Sequence, residues 1–153
     1  MSMEYSDVVE SYQRQLCELL DSPKIKYSSW PPTDSDSVRQ SAGVYHFFES
    51  YDNCITSLYI GKGGFGSGDK WNLYERMKQH FQPSQEYALL GKASRSRGIS
   101  PEDAKKEFNK SNIYLQWLAF GTTEEEYEGT IEEDLRGFEH FAIAILKPLY
   151  TDT

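Results

Sequence analysis

Residues 43–61 read GVYHFFESYDNCITSLYIG, two short runs of aromatic and β-branched residues separated by a stretch that holds Asp52 and Asn53. Such runs bounded by turn-forming residues are strands, and Asp and Asn supply the turn, so the stretch predicts a β-hairpin. Hairpins are antiparallel, which excludes a doubly wound parallel sheet. NIYLQWLAFG at 112–121 reads as a further, largely buried strand. The expected class is therefore α+β, with a small antiparallel sheet of about three strands (near 43–49, 55–61 and 112–120) flanked by helices.

The flanking helices come from periodicity. Val8, Val9, Tyr12, Leu16, Leu19 and Leu20 fall at helical spacing over 4–20, as do Trp71, Leu73, Tyr74, Met77 and Phe81 before Pro83. Ser100 and Pro101 open a helix over 100–108 as N-cap and first residue. Leu135, Phe138, Ile143 and Leu146 mark a last helix over 134–146, stopped by Pro148. Between the first helix and the hairpin, the Pro-, Ser- and Asp-rich stretch with Pro31-Pro32 reads as a connector. At 153 residues the chain fits one domain, 1–40 being helix and connector and 43–150 the core.

The net charge is −8, which opposes binding to phosphates, but the excess is local. TTEEEYEGTIEEDL (122–135) holds seven acids and no base, leaving 16 positive against 17 negative elsewhere. Cys17 and Cys54 form no C-x-x-C pair and no apolar run is long enough to span a bilayer, so a cytoplasmic protein without membrane contact is expected.

Gly61-Lys-Gly-Gly-Phe-Gly66 fits the dinucleotide pattern G-x-G-x-x-G. That fingerprint needs a helix beginning inside the glycines and a parallel strand directly after it. Here helical periodicity starts only near Trp71, and a hairpin precedes the loop, so no nucleotide cofactor is expected. Kinase motifs are also missing after the loop.

Other residues around these glycines carry a stronger pattern. GVY (43–45) and YIG (59–61) are followed by Lys62; LYERMKQHF (73–81) carries Arg76 and His80; FEHFAIAILKPLY (138–150) carries Glu139. In this order the four motifs resemble the GIY-YIG nuclease family over 43–150. Val44 stands for the usual Ile, the segment GGFGSGDKWN lengthens the loop before the Arg-bearing helix, and Thr151 stands where many members have Asn.

The resemblance implies a GIY-YIG-like fold and a metal-dependent endonuclease that hydrolyses DNA. It implies catalytic roles for Tyr45, Tyr59, Lys62, Arg76, His80 and Glu139. Glu139 would be the protein ligand of a single divalent cation, Mg²⁺ or Mn²⁺, completed by water and phosphate oxygens. Arg76 offers a planar fork to non-bridging phosphate oxygens. His80 could take a proton from a tyrosine or water, and Tyr45, with Tyr59 lining the site, could act as general base if a nearby cation such as Lys62 lowers its pKa.

Lys92, Arg95 and Arg97 in the loop GKASRSRG (91–98), together with Lys105, Lys106 and Lys110, are the candidate nucleic-acid contacts. The competing reading is a catalytically weak or inactive fold acting as a protein- or DNA-binding module in which acidic segment 124–134 docks a basic partner; a third joins the two, the segment repelling substrate from an active site until a partner covers it.

Overall fold

A computed structural model describes residues 4–64, 72–122 and 129–151. The hairpin forms as expected from β2 (Ser41–Tyr51) and β3 (Cys54–Gly63), paired antiparallel. Asp52 and Asn53 turn it at φ 48° and 66°. Two successive left-handed residues match the twist of the flanking strands, and Asp and Asn tolerate that conformation better than most side chains. β4 (Ile113–Thr122) pairs along the other side of β2.

The sheet has four strands rather than about three, in the order β1-β4-β2-β3 and antiparallel throughout. The added strand, β1, is only Ile25–Lys26, too short to show alternation in sequence. The connector is likewise ordered: a 3-10 turn at Tyr27–Ser29 and helix α2 (Ser35–Arg39) follow β1. Its anchors are aromatic. Trp30 stacks on Phe81 at 4.4 Å between centroids, and Tyr27 on the same ring at 4.3 Å.

Helix α1 (Tyr5–Asp21) and helix α6 (Gly129–Leu146) lie on one face of the sheet, where Leu19, Leu135, Phe138 and Ala142 bury Val44 and Ile60. On the other face, helix α3 (Leu73–Lys78), helix α4 (Leu89–Arg97) and helix α5 (Pro101–Lys110) enclose Tyr45, Phe47 and Leu115 with Met77, Leu90 and Phe108. Helix α4 replaces the expected 91–98 loop. Its small residues Gly91, Ala93 and Ser94 are buried beside Leu89 and Leu90, so close packing and a short apolar start, not an extended stripe, hold it.

Helix α6 begins five residues before the expected position 134, its first residues Gly129 and Thr130 being weak helix formers. Most of the acidic run (124–128) and the centre of the glycine loop (65–71) lie outside the described residues.

A buried polar cluster sits beneath α1. Gln116 donates through Nε2 to Leu20 O at 3.2 Å, so its Oε1 accepts from His46 Nδ1–H at 2.9 Å. His46 Nε2 in turn accepts from Ser57 Oγ at 2.8 Å. All three side chains are thereby satisfied with His46 neutral, and burial lowers the His46 pKa to about 4.

β3 is an edge strand, and the chain covers part of that edge itself. Leu149 N and Tyr150 N donate to Ser57 O (3.0 Å) and Leu58 O (2.9 Å). Unpaired strand groups there find partners within the same chain. Among the described residues no helix is long and apolar enough to cross a membrane.

Candidate functional site

Strand register explains how two tyrosines meet. Tyr45 lies opposite Gly61 and Phe47 opposite Tyr59, with a bulge at Leu58 between the pairings of Phe47 and Phe48. The Tyr45 ring lies across Gly61: a Cβ added there would sit 2.4 Å from the Tyr45 hydroxyl oxygen. Only glycine leaves the phenol that path. The ring consequently leans toward its diagonal neighbour Tyr59, and the two are nearly parallel, 8° apart with centroids at 6.2 Å.

His80, fully buried, closes the cluster from behind. Its Nδ1 accepts the backbone N–H of Leu89 at 3.0 Å, and its Nε2 lies 2.7 Å from the Tyr45 hydroxyl. A ring nitrogen that accepts an amide hydrogen carries none of its own, so the neutral imidazole has its proton on Nε2. Nε2–H therefore donates to Tyr45. Burial first, then Lys92 and Arg76, lower the His80 pKa to about 3, which keeps that form across the working range.

The sequence suggests that His80 takes a proton from a tyrosine or from water; in this arrangement its Nε2–H donates to Tyr45. The signal missing from the sequence was Leu89, whose amide at the start of α4 fixes the tautomer. Tyr27 locks the same segment by donating to His80 O at 2.7 Å.

The remaining members gather around an open cavity of about 530 Å³. Tyr45, Tyr59, Lys62, Arg76 and Glu139 all line it, with His80 behind the Tyr45 hydroxyl. Alternation along β3 divides them. Tyr45 and Gly61 belong to the α3 face, whereas Lys62, opposite Val44, belongs to the α6 face that carries Glu139. The cavity straddles the sheet edge and joins both sets.

Its electrostatics are mixed. Burial holds the Tyr45 hydroxyl well above the ordinary tyrosine range; Tyr59 and Glu139 add to the rise, and Arg76 and a hydrogen bond with the Gln79 side chain oppose it. Burial also raises the Glu139 carboxyl, against the pull of Lys62, His140, Arg76 and Arg136. Gln79 and His140 line the cavity too and were not foreseen as contributors; Thr151, noted in the sequence, also lines it.

Thr151 braces the edge strand beside the cavity. Its hydroxyl oxygen accepts from Ile60 N at 2.7 Å and donates to Ile60 O at 3.2 Å, satisfying both backbone groups between Tyr59 and Gly61.

Among the described residues no group of three or more His, Cys, Asp or Glu could hold a metal ion. Glu139 is a single partly desolvated carboxylate, a donor set that suits a hard cation finishing its shell with water and substrate oxygens.

The candidate nucleic-acid residues are dispersed. Arg97 pairs with Glu107 at 3.1 Å and lies 5.1 Å from the Phe108 ring centroid; Arg95 donates to Glu86 O at 2.7 Å. Lys92 turns inward, its ammonium 5.3 Å from the centroid of Tyr59. Lys105 and Lys106 lie on α5, Lys106 exposed. Comparison with protein-family models, curated proteins and solved structures finds no match to this chain.

Proposed function

We propose that this protein is a GIY-YIG-type endonuclease that hydrolyses DNA phosphodiester bonds with one divalent cation, Mg²⁺ or Mn²⁺. The observation that carries the reading is the cavity, in which Tyr45, Tyr59, Lys62, Arg76 and Glu139, distant in sequence, share one lining with His80 behind them. A cation held by Glu139 would polarise a phosphate oxygen and help to ionise water.

The chain's own groups complete the chemistry. Tyr45 accepts the proton of the attacking water as phenolate, stabilised by His80 Nε2–H and Gln79. Arg76 and Lys62 offset charge on the phosphorane, Arg76 through a bidentate fork. Thr151 holds the strand segment between Tyr59 and Gly61 in place.

The test is incubation with plasmid, linear, single-stranded and branched DNA plus Mg²⁺ or Mn²⁺. Wild type is expected to nick or cut at least one of them, whereas Glu139→Ala and Arg76→Ala lose the activity by roughly a hundredfold or more. Metal-dependent nicking that survives Glu139→Ala would sink the site assignment. Absence of cleavage on every substrate would leave the fold as a binding module.

A further inference from the structure

Helix α4, which sequence periodicity does not reveal, brings two groups to the tyrosine cluster. Leu89 and Lys92 are three apart and so share a face. Leu89 supplies the amide that fixes His80, while Lys92 places its ammonium 5.3 Å from the Tyr59 ring centroid. That ammonium nitrogen is shielded from solvent. Tyr59 lies against His80 at 4.3 Å between centroids and stacks beside Tyr45.

A shielded lysine cannot reach a phosphate without leaving its seat. A cation on an aromatic face is also held more firmly when desolvated. We propose that Lys92 is a positioning residue of the cavity rather than a nucleic-acid contact, its ammonium holding the Tyr59 ring and, through the Tyr59–His80–Tyr45 cluster, the hydroxyl of Tyr45. The inference rests on the nuclease reading for its kinetic consequence, but its structural half is measurable without activity.

The close packing of α4 supports the same assignment. A Cβ on Gly91 would sit 2.2 Å from Glu86 O, so the preceding turn folds directly against the helix and leaves little freedom to carry Lys92 outward. Arg97, one of the other two basic residues of α4, is bound to Glu107 and lies on Phe108; Arg95 is tied to Glu86 O. All three therefore make intramolecular contacts.

Lys92→Met keeps the length of the stem and removes only the charge; Lys92→Arg keeps the charge over the ring. With DNA and Mg²⁺ or Mn²⁺, Lys92→Met is expected to lower kcat about tenfold, with KM and salt dependence as in wild type. Lys92→Arg should stay within about threefold. Lys106→Ala serves as the comparison for an exposed contact. In ¹³C-tyrosine spectra of the DNA-free protein, the ring signals of Tyr59 and Tyr45 should move in Lys92→Met.

A raised KM and a salt slope reduced by about one, with unmoved ring signals, would mark Lys92 as a phosphate contact and overturn the proposal. Failure of Lys92→Arg to recover activity would overturn it as well. If wild type cleaves no DNA, the nuclease reading falls and the spectra decide the rest: moved rings uphold the positioning role, unmoved rings reject it.

Discussion

Lowering the pH from 8 to 5 should destabilise this protein by about 4 kcal/mol, through two buried histidines that both fold neutral. His80 and His46 titrate at about 3 and about 4 in the folded chain. An unfolded histidine titrates near ~6.5. Both folded values are depressed, so the unfolded chain binds more protons below that pH. The stability contributed by each neutral histidine is full above about 6.5 and is lost as pH falls toward its folded pKa. At roughly 1.4 kcal/mol per pH unit, each costs about 2 kcal/mol by pH 5.

Glu139 acts in the opposite sense: its raised folded pKa lets the native state take up a proton first, which offsets part of the loss. The assay is urea unfolding at both pH values for wild type, His46→Gln and His80→Gln. Each substitution should shrink the pH-dependent drop by about half, whatever it does to absolute stability. Equal wild-type stability at pH 8 and 5, or a drop unchanged in both variants, would refute the neutral-donor assignment of His80 and the buried cluster around His46.

Gly61→Ala inserts a methyl group against the Tyr45 hydroxyl, and the displaced ring loses its bond to His80. Overpacking should cost about 1–3 kcal/mol in thermal or urea unfolding, and DNA cleavage should fall by about a hundredfold. Thr151→Val is isosteric but leaves Ile60 N without its acceptor, so about 1–2 kcal/mol should be lost and the Ile60 amide should exchange faster by NMR. Thr151→Ser should behave as wild type in both measurements. Titration calorimetry without DNA should show Mg²⁺ binding on the order of millimolar or weaker, since Glu139 is the lone carboxylate among the described cavity residues.

The hairpin was legible because its information is local: Asp52 and Asn53 adopt the left-handed turn that their side chains favour. Helix α5 was legible for the same reason, its N-cap Ser100 accepting from Asp103 N at 3.1 Å. What escaped was tertiary. Helix α4 lacks an extended apolar stripe, burying small residues beside Leu89 and Leu90 only, and β1 is two residues long. The motif residues could be named from their order, but the Nδ1 partner that decides His80's role is a backbone amide, and a backbone amide has no letter in the sequence.

That amide changes how the proposed site would work. A histidine acting as base would carry Tyr45's proton away and leave an imidazolium beside the phenolate. Here His80 already holds its mobile proton on Nε2, and Nδ1 is occupied by Leu89 N–H. In the proposed reaction the Tyr45 proton would therefore leave through the cavity. Ionisation is opposed there by burial, by Tyr59 and by Glu139, whose carboxylate would place a second negative charge in the same enclosure.

Arg76 and the hydrogen bond with Gln79 pull toward the phenolate, yet Tyr45 stays well above the ordinary tyrosine range. Added positive charge at Glu139 would favour both anions at once, because it relieves the carboxylate directly and removes its repulsion of the phenolate. In the proposed nuclease, generation of the base would in this way be coupled to assembly of the complete site. The free protein rests with Tyr45 protonated, and cleavage should rise with pH on a limb that Tyr45→Phe abolishes. A rate limb near pH 6 that disappears in His80→Gln would instead return the role of base to His80 and refute the tautomer that Leu89 imposes.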